Sequence, residues 1–328
     1  MARTVVIGTG TWGTAMAVIL FSQRQPVALL GRDPAKVAAL VAANCHPQLG
    51  DLTLPAGLEI TADPAVLAGA DLILWAVPTQ HTRALATAFA PHIPTGVPVV
   101  SLAKGLEERS LATPCAILGE ALGERSIGVL SGPSHAVEIV AGQPVCLVVA
   151  GPGELPRLVQ ERVHGQRCRL YTSADRLGVE LGGALKNVIA IAAGLCDGLG
   201  VGDNLKAALI TRGLAEMRRL GRVMGAQDAT FAGMAGIGDL LTTCYAPHGR
   251  NRALGKAIAS GLNPLMFLRQ QQTVAEGAWT SRAAVDLARQ HAVELPIASQ
   301  VASIIWDGTP VREAMDSLFA RSPKEEDA

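Results

Sequence analysis

The chain has 328 residues, 49% hydrophobic and only 3% aromatic, and its 28 Lys and Arg are matched by 28 Asp and Glu. That length suits two ordinary domains with ample apolar material for a core. The zero formal charge argues against a general nucleic-acid binder, which would carry a strongly basic domain.

The six cysteines form no Cys-x-x-Cys pair, and a chain of this size needs no disulfide staples, so free thiols in a reducing cytosol are expected. Met1 runs almost directly into an apolar strand, leaving no room for a signal peptide. No uncharged apolar run reaches the roughly 18 residues of a membrane span. Residues 188–196, bounded by Lys186 and Asp197, read as a buried core helix. A cytoplasmic protein with no membrane partner is expected.

In chain order, residues 4–7 read as a strand and 13–21 as a helix. A strand at 26–30 and a helix at 34–43 follow. Further strands are expected at 58–61, 72–77 (stopped by Pro78), 97–102, 127–130 and 145–149. Nearly continuous apolar strands alternating with helical patterns imply an α/β fold, a doubly wound, mostly parallel sheet covered on both faces. Beyond about residue 171 the strand signals fade. Helical patterns take over at 177–194, 204–224, 252–259, 281–291 and 298–306. The reading is therefore a Rossmann-type dinucleotide-binding domain over 1–175 and an all-helical substrate domain over 176–328. The charged tail from 321 is expected to fray.

Gly8-Thr9-Gly10-Thr11-Trp12-Gly13 follows the first strand and opens the first helix, the context that a dinucleotide fingerprint requires. Gly8 permits the tight turn, Gly10 lets the backbone approach a pyrophosphate, and Gly13 lets helix and strand pack. The helix N-terminus offers free N–H groups to the phosphates. The second strand ends at Gly31, where NAD-preferring sites carry an acid, and Arg32 follows. Arg32 suits a 2′-phosphate and so favours NADP or dual use, unless it is a solvated loop residue. Asp33 keeps NAD open.

Several polar residues stand in apolar or glycine-rich settings. Lys104 follows a strand, as do Gly132 and Ser134 in Ser131-Gly132-Pro133-Ser134-His135-Ala136. Ligands bind beyond the carboxyl ends of strands in open α/β sheets. Lys186 and Asn187 interrupt a run of Ala, Leu, Val and Ile, where a buried unpaired charge would be costly. Lys186 is either a snorkelling surface lysine or a catalytic one. Gly236-Ile237-Gly238-Asp239 delivers an Asp to a helix start, as an N-cap or as a site residue. His248-Gly249-Arg250-Asn251 precedes another helix and is a ready anion site unless Arg250 is merely at the surface. The scattered His and Cys offer no obvious metal-ligand set.

Together these segments resemble bacterial NAD(P)-dependent glycerol-3-phosphate dehydrogenase. The matches are Gly8 to Gly13, Lys104-Gly105, Ser131 to Ala136, Gly183-Ala184-Leu185-Lys186-Asn187-Val188, Gly236 to Cys244, Gly249-Arg250-Asn251 and Val274-Ala275-Glu276-Gly277. They run in order over nearly the whole chain. The resemblance implies an oxidoreductase acting on CH–OH donors, with NADP or NAD as cofactor, that interconverts dihydroxyacetone phosphate and sn-glycerol 3-phosphate. It further implies a homodimer that supplies glycerol 3-phosphate for phospholipid synthesis.

At the level of residues the resemblance makes Lys186 the general acid/base at the substrate C2 oxygen. Lys104 contacts cofactor and substrate. Asp239 and Thr243 orient Lys186 and the substrate hydroxyl. Gly249, Arg250, Asn251 and Asn187 bind substrate, Arg250 and Asn251 at its phosphate. Gly132 and Ser134 line the pocket, while Ala136, Arg250, Val274 and Glu276 border the cofactor. The chain departs from the family pattern at Gly249 (often Ser), His135 (commonly Phe or Tyr) and Ala275 (frequently Val). Two other readings remain: a related hydroxy-acid dehydrogenase of the ketopantoate reductase kind, and a non-catalytic NADPH-binding regulator, which would need no Lys186, Asp239 and Arg250 set.

Overall fold

The computed structural model describes residues 3–50, 52–247, 249–270, 275–323 and 325–326. His248 and Val274, both singled out from the sequence, lie outside the described residues. The first half holds strands β1 (Thr4–Ile7), β2 (Val27–Leu30), β3 (Glu59–Thr61), β4 (Leu72–Trp75), β5 (Val99–Ser101), β6 (Ile127–Ser131), β7 (Val145–Ala150) and β8 (Cys168–Ser173). Between them run helices α1 (Thr11–Ser22), α2 (Pro34–Ala43), α3 (Thr79–Phe89), α4 (Pro114–Leu122), α5 (Ala136–Val140) and α6 (Leu155–Val163). The strands form one sheet in the order β3-β2-β1-β4-β5-β6-β7-β8, parallel except where β6 meets β7.

Both faces of the sheet are buried, and the period of two of a strand decides which residue serves which face. Val6, Leu29, Leu74, Val100 and Leu130 join Met16 and Leu20 of α1 and Val159 of α6 in one apolar cluster. Val5, Leu30, Ile73, Val99 and Val129 join Phe89 of α3 and Leu118 of α4 in the other. This is why the strands read as continuous apolar runs.

The expected doubly wound sheet is present, with three differences in detail. β8 was not anticipated, because Arg169, Tyr171 and Thr172 break its apolar run. It is an edge strand with one exposed face, and β7 is its neighbour in the sheet. The fifth strand is shorter than 97–102, because Pro98 lacks an N–H to donate and Val97 turns back onto Pro94 O. The fourth ends at Trp75, two residues before the expected stop.

The second half is helical: α7 (Arg176–Leu199), α8 (Asp203–Val223), α9 (Asp228–Phe231), α10 (Asp239–Tyr245), α11 (Arg250–Ala259), α12 (Pro264–Gln270), α13 (Glu276–Gln290), α14 (Pro296–Ala302) and α15 (Val311–Phe319). α7 is long and apolar enough to cross a membrane, yet it runs through the middle of this half, enclosed by the other helices. Its contact with α11 depends on glycine. A Cβ on Gly194 would overlap Arg252 O, and one on Gly255 would overlap Ile191 O. The two backbones therefore touch, and the start of α11 comes to lie against the middle of α7. α13 begins five residues before the pattern at 281–291, because Gly277 in its first turn masks the helical periodicity.

Candidate active site

The topology brings the carboxyl ends of β1, β4, β5 and β6 to one edge of the sheet, in register: Ile7 pairs Trp75, Trp75 pairs Ser101, and Ser101 pairs Val129. The strand order reverses beside β1, between β2 and β4, which is where open sheets of this kind take ligands. The glycine-rich loop sits there. Gly8 adopts φ +114°, a conformation that strains any side chain, and its added Cβ would meet Ala76 O at 2.5 Å. A Cβ on Gly13 would overlap Gly8 O, whereas Gly10 is exposed with nothing within 4 Å of its Cβ position. Thr11 opens α1, and Trp12 Nε1 is a buried donor with no partner among the described residues. An open cradle at Gly10, at the start of α1, fits a dinucleotide phosphate.

At the end of β2, a Cβ on Gly31 would meet Val37 Cγ2 at 2.5 Å and Thr9 Cγ2 at 2.9 Å, so an acid there would have to displace both side chains. Asp33 caps α2, accepting from Ala35 N at 3.0 Å and Lys36 N at 3.3 Å. Arg32 between them is exposed.

The chemistry-bearing residues converge on Asp239, the first residue of α10, delivered there by a π-helical turn (Met234–Gly238). Asp239 is 1% exposed and caps no helix. One carboxylate oxygen pairs with Lys186 Nζ and the other with Lys104 Nζ at 2.7 Å. Lys186 is 5% exposed, so it does not snorkel. Its ammonium also donates to Thr243 Oγ1 at 2.6 Å, and Thr243 in turn donates to Asp239 O at 2.7 Å. Two of its three N–H donors are thereby engaged, and the third has no partner among the described residues. Lys104 donates to Gly132 O at 2.9 Å and Ser134 Oγ at 3.2 Å as well as to Asp239, so all three of its donors are in use. Gly132, at φ +122°, presents that carbonyl, with the Leu147 backbone 3.2 Å from its Cβ position.

Burial pushes Lys186 down to about 8, reinforced by Lys104 and opposed by Asp239. Burial is the largest of these causes, and Arg250 is not among them. Burial raises the Asp239 carboxyl, yet the two ammonium groups outweigh it and hold it below the usual range.

Asn187 and Asn251, 6% and 8% exposed, are tied together rather than pointing separately into the cleft. Asn187 Nδ2 donates to Lys104 O at 3.2 Å, and its Oδ1 accepts from Asn251 Nδ2 at 2.9 Å. Asn251 Oδ1 accepts the Gly277 N–H at 3.0 Å. This relay joins the Lys104 loop, α7, α11 and the start of α13. Arg250 is exposed at the first turn of α11, and among the described residues its guanidinium has no hydrogen-bond partner. Gly249 precedes it with φ −68° and only ordinary contacts around its Cβ position.

Glu276 is half-buried with its Oε2 enclosed, and burial raises its carboxyl to about 7, with Thr79 N and Arg250 opposing. Its Oε1 accepts from Thr79 N at 3.1 Å, linking α13 to α3, while Oε2 has no partner among the described residues. Thr79 was not anticipated; nothing in its local sequence announces a partner 197 positions away. Ala136 opens α5 after His135, whose burial lowers its imidazole.

Residues 3–154 match the N-terminal family profile of NAD-dependent glycerol-3-phosphate dehydrogenase, and residues 175–316 match its C-terminal profile. The chain is 45% identical to the glycerol-3-phosphate dehydrogenase (NAD(P)+) 2 of Salinibacter ruber, over 98% of this chain and 95% of that one. It is 43% identical to a Thermus thermophilus glycerol-3-phosphate dehydrogenase (NAD(P)+), over 99% and 100%. A crystal structure of glycerol-3-phosphate dehydrogenase from Coxiella burnetii superimposes with a TM-score of 0.93 at 34% identity, covering 98% of this chain and 99% of that one. With both halves matched in order at nearly full length, the chain belongs to the NAD-dependent glycerol-3-phosphate dehydrogenase family.

Proposed function

We propose that this chain interconverts dihydroxyacetone phosphate and sn-glycerol 3-phosphate, with NADP or NAD as cofactor. The observation that carries the reading is the buried Lys186 ammonium, held by Asp239 and Thr243 with one donor to spare. The nicotinamide, when bound, supplies the hydride that reduces C2. As C2 is reduced, charge gathers on its oxygen, and a preorganised donor there stabilises it. Lys186 gives that oxygen a proton and becomes neutral; in oxidation the neutral amine takes the proton back. A value of about 8 suits both directions near neutral pH.

Asp239 keeps the ammonium form accessible, and Thr243, whose own hydroxyl proton is committed to its helix, orients Lys186. Lys104 lies across the same carboxylate and reaches substrate or cofactor by exchanging one of its three bonds. Gly132 and Ser134 shape the wall behind it. Arg250 anchors the phosphate with the backbone of Gly249 at the start of α11. Asn187 and Asn251 align the Lys104 loop with that anchor, and remote binding energy then orients the reacting carbon. Gly8, Gly10, Thr11, Trp12 and Gly13 take the pyrophosphate, Arg32 the 2′-phosphate, and Ala136, Arg250, Val274 and Glu276 border the cofactor.

In this reading residues 1–175 form the dinucleotide domain and 176–328 the substrate domain. A cytoplasmic homodimer, without nucleic-acid or membrane partners, supplying glycerol 3-phosphate for phospholipid synthesis rests on family resemblance. Purified protein offered NADPH or NADH with dihydroxyacetone phosphate and, separately, ketopantoate tests the reading. Turnover with dihydroxyacetone phosphate alone is expected. Turnover with ketopantoate alone would assign a hydroxy-acid dehydrogenase, and cofactor binding without any turnover a regulator.

A further inference from the structure

The glycine-rich loop is gripped from outside by a residue with no part in the roles above. His46 lies two residues past Asn44, the left-handed residue that ends α2, and is 6% exposed. Its Nδ1 accepts the Gln48 N–H at 3.2 Å, so the ring proton belongs on Nε2. Nε2 lies 3.2 Å from the Thr9 carbonyl oxygen and donates to it. Burial lowers the imidazole below its ordinary value, in keeping with this neutral tautomer. The Thr9 side chain is meanwhile packed against Gly31 at the end of β2.

A trans peptide is planar, with its C=O and the following N–H pointing in opposite directions. Holding the Thr9 carbonyl toward His46 therefore turns the Gly10 N–H away from it. Gly10 is exposed, and its N–H has no hydrogen-bond partner among the described residues, so it is open to a ligand. A backbone N–H fixed in direction beside the start of a twelve-residue helix is a donor for an anion.

We propose that His46 is a positioning residue for cofactor binding, aiming the Gly10 amide at the pyrophosphate by holding the Thr9 carbonyl. The inference rests on the dinucleotide reading of the loop and adds to it a residue from outside the fingerprint. It also ties the α2 segment, whose approach carries Arg32, to the phosphate loop.

The test is NADPH binding by nucleotide fluorescence to the full chain and to His46→Phe, His46→Asn and His46→Gln, with thermal melting of each. Gln can place an amide N–H where Nε2 stood. Asn can accept from Gln48 N–H but cannot reach Thr9, and Phe fills the space with neither. His46→Gln is expected to bind NADPH nearly as the native chain does. His46→Asn and His46→Phe should bind it about five- to tenfold more weakly, the scale of one lost hydrogen bond. Adenosine 2′-monophosphate, which lacks the pyrophosphate, should bind all four alike in competition. Folded Asn and Phe variants that bind NADPH as the native chain does would overturn the proposal. So would equal weakening toward adenosine 2′-monophosphate, which marks general loosening. If the Phe variant does not fold, Gln against Asn decides. A native chain that binds no NADPH would overturn the dinucleotide reading itself, and this inference with it.

Discussion

Asp239→Asn keeps the shape of the side chain and removes its charge. In the native site that charge lies between two ammonium groups, Lys104 at 2.7 Å on one oxygen and Lys186 on the other. Lys186 stands at about 8 because burial and Lys104 push it down while Asp239 pushes it up. An opposite charge about 4 Å away is worth on the order of 4 kcal/mol at an effective dielectric of about 20. Roughly 1.4 kcal/mol moves a pKa by one unit. Without Asp239, the burial and the Lys104 charge act almost unopposed, and Lys186 is neutral at neutral pH.

Reduction needs the ammonium as acid, so native kcat for reduction should fall as pH rises through about 8, and oxidation should rise over the same interval. In Asp239→Asn, reduction at neutral pH should drop by about 10²- to 10⁴-fold, the usual worth of a positioned acid. Its pH break should move to lower pH, and the oxidation limb should move with it. The assay is steady-state turnover in both directions as a function of pH, with NADPH binding measured alongside to show that the cofactor half is intact. An Asn variant whose reduction still breaks near the native pH would show that Asp239 does not set the charge of Lys186.

Arg250→Ala should raise KM for dihydroxyacetone phosphate by about 10- to 100-fold, the range for losing charge-assisted hydrogen bonds to a phosphate, with a smaller effect on kcat; an unchanged KM would move the phosphate elsewhere. Gly249→Ser should be tolerated, since the backbone at φ −68° suits any residue and its Cβ contacts are ordinary. The added hydroxyl should lower that KM by about tenfold through one more bond to the anion, and a rise in KM would show that the turn does not face the phosphate. Arg32→Ala should weaken NADPH by about tenfold or more while leaving NADH nearly unchanged; equal losses would remove Arg32 from 2′-phosphate recognition.

Much of this was legible because it is local. Gly8 to Gly13 follows a strand and opens a helix, so the turn and the open glycine-rich loop are encoded in one short stretch. Lys186 stood out because an ammonium in an apolar helix demands a partner, and Asp239 and Thr243 answer that demand. What stayed hidden depends on distant pairing. β8 is half-exposed and carries no continuous apolar run. The reversal of β7 is set by packing and not by its own residues. Gly277 conceals the true start of α13, where its N–H is met by Asn251, 26 positions away. His46 and Thr79 look like ordinary loop and helix-start residues until the fold brings Thr9 and Glu276 to them. The depression of Lys186 was not legible, because burial, which only the packed helices create, is its largest cause.

The role of Lys186 can be put to one comparison: NADPH oxidation with saturating dihydroxyacetone phosphate by the native chain and by Lys186→Ala, at equal NADPH occupancy. The native chain should turn over, and the Ala variant should bind NADPH normally while its kcat falls by about 10²-fold or more. A variant that turns over nearly as fast as the native chain would contradict the assignment of the buried lysine as the proton donor.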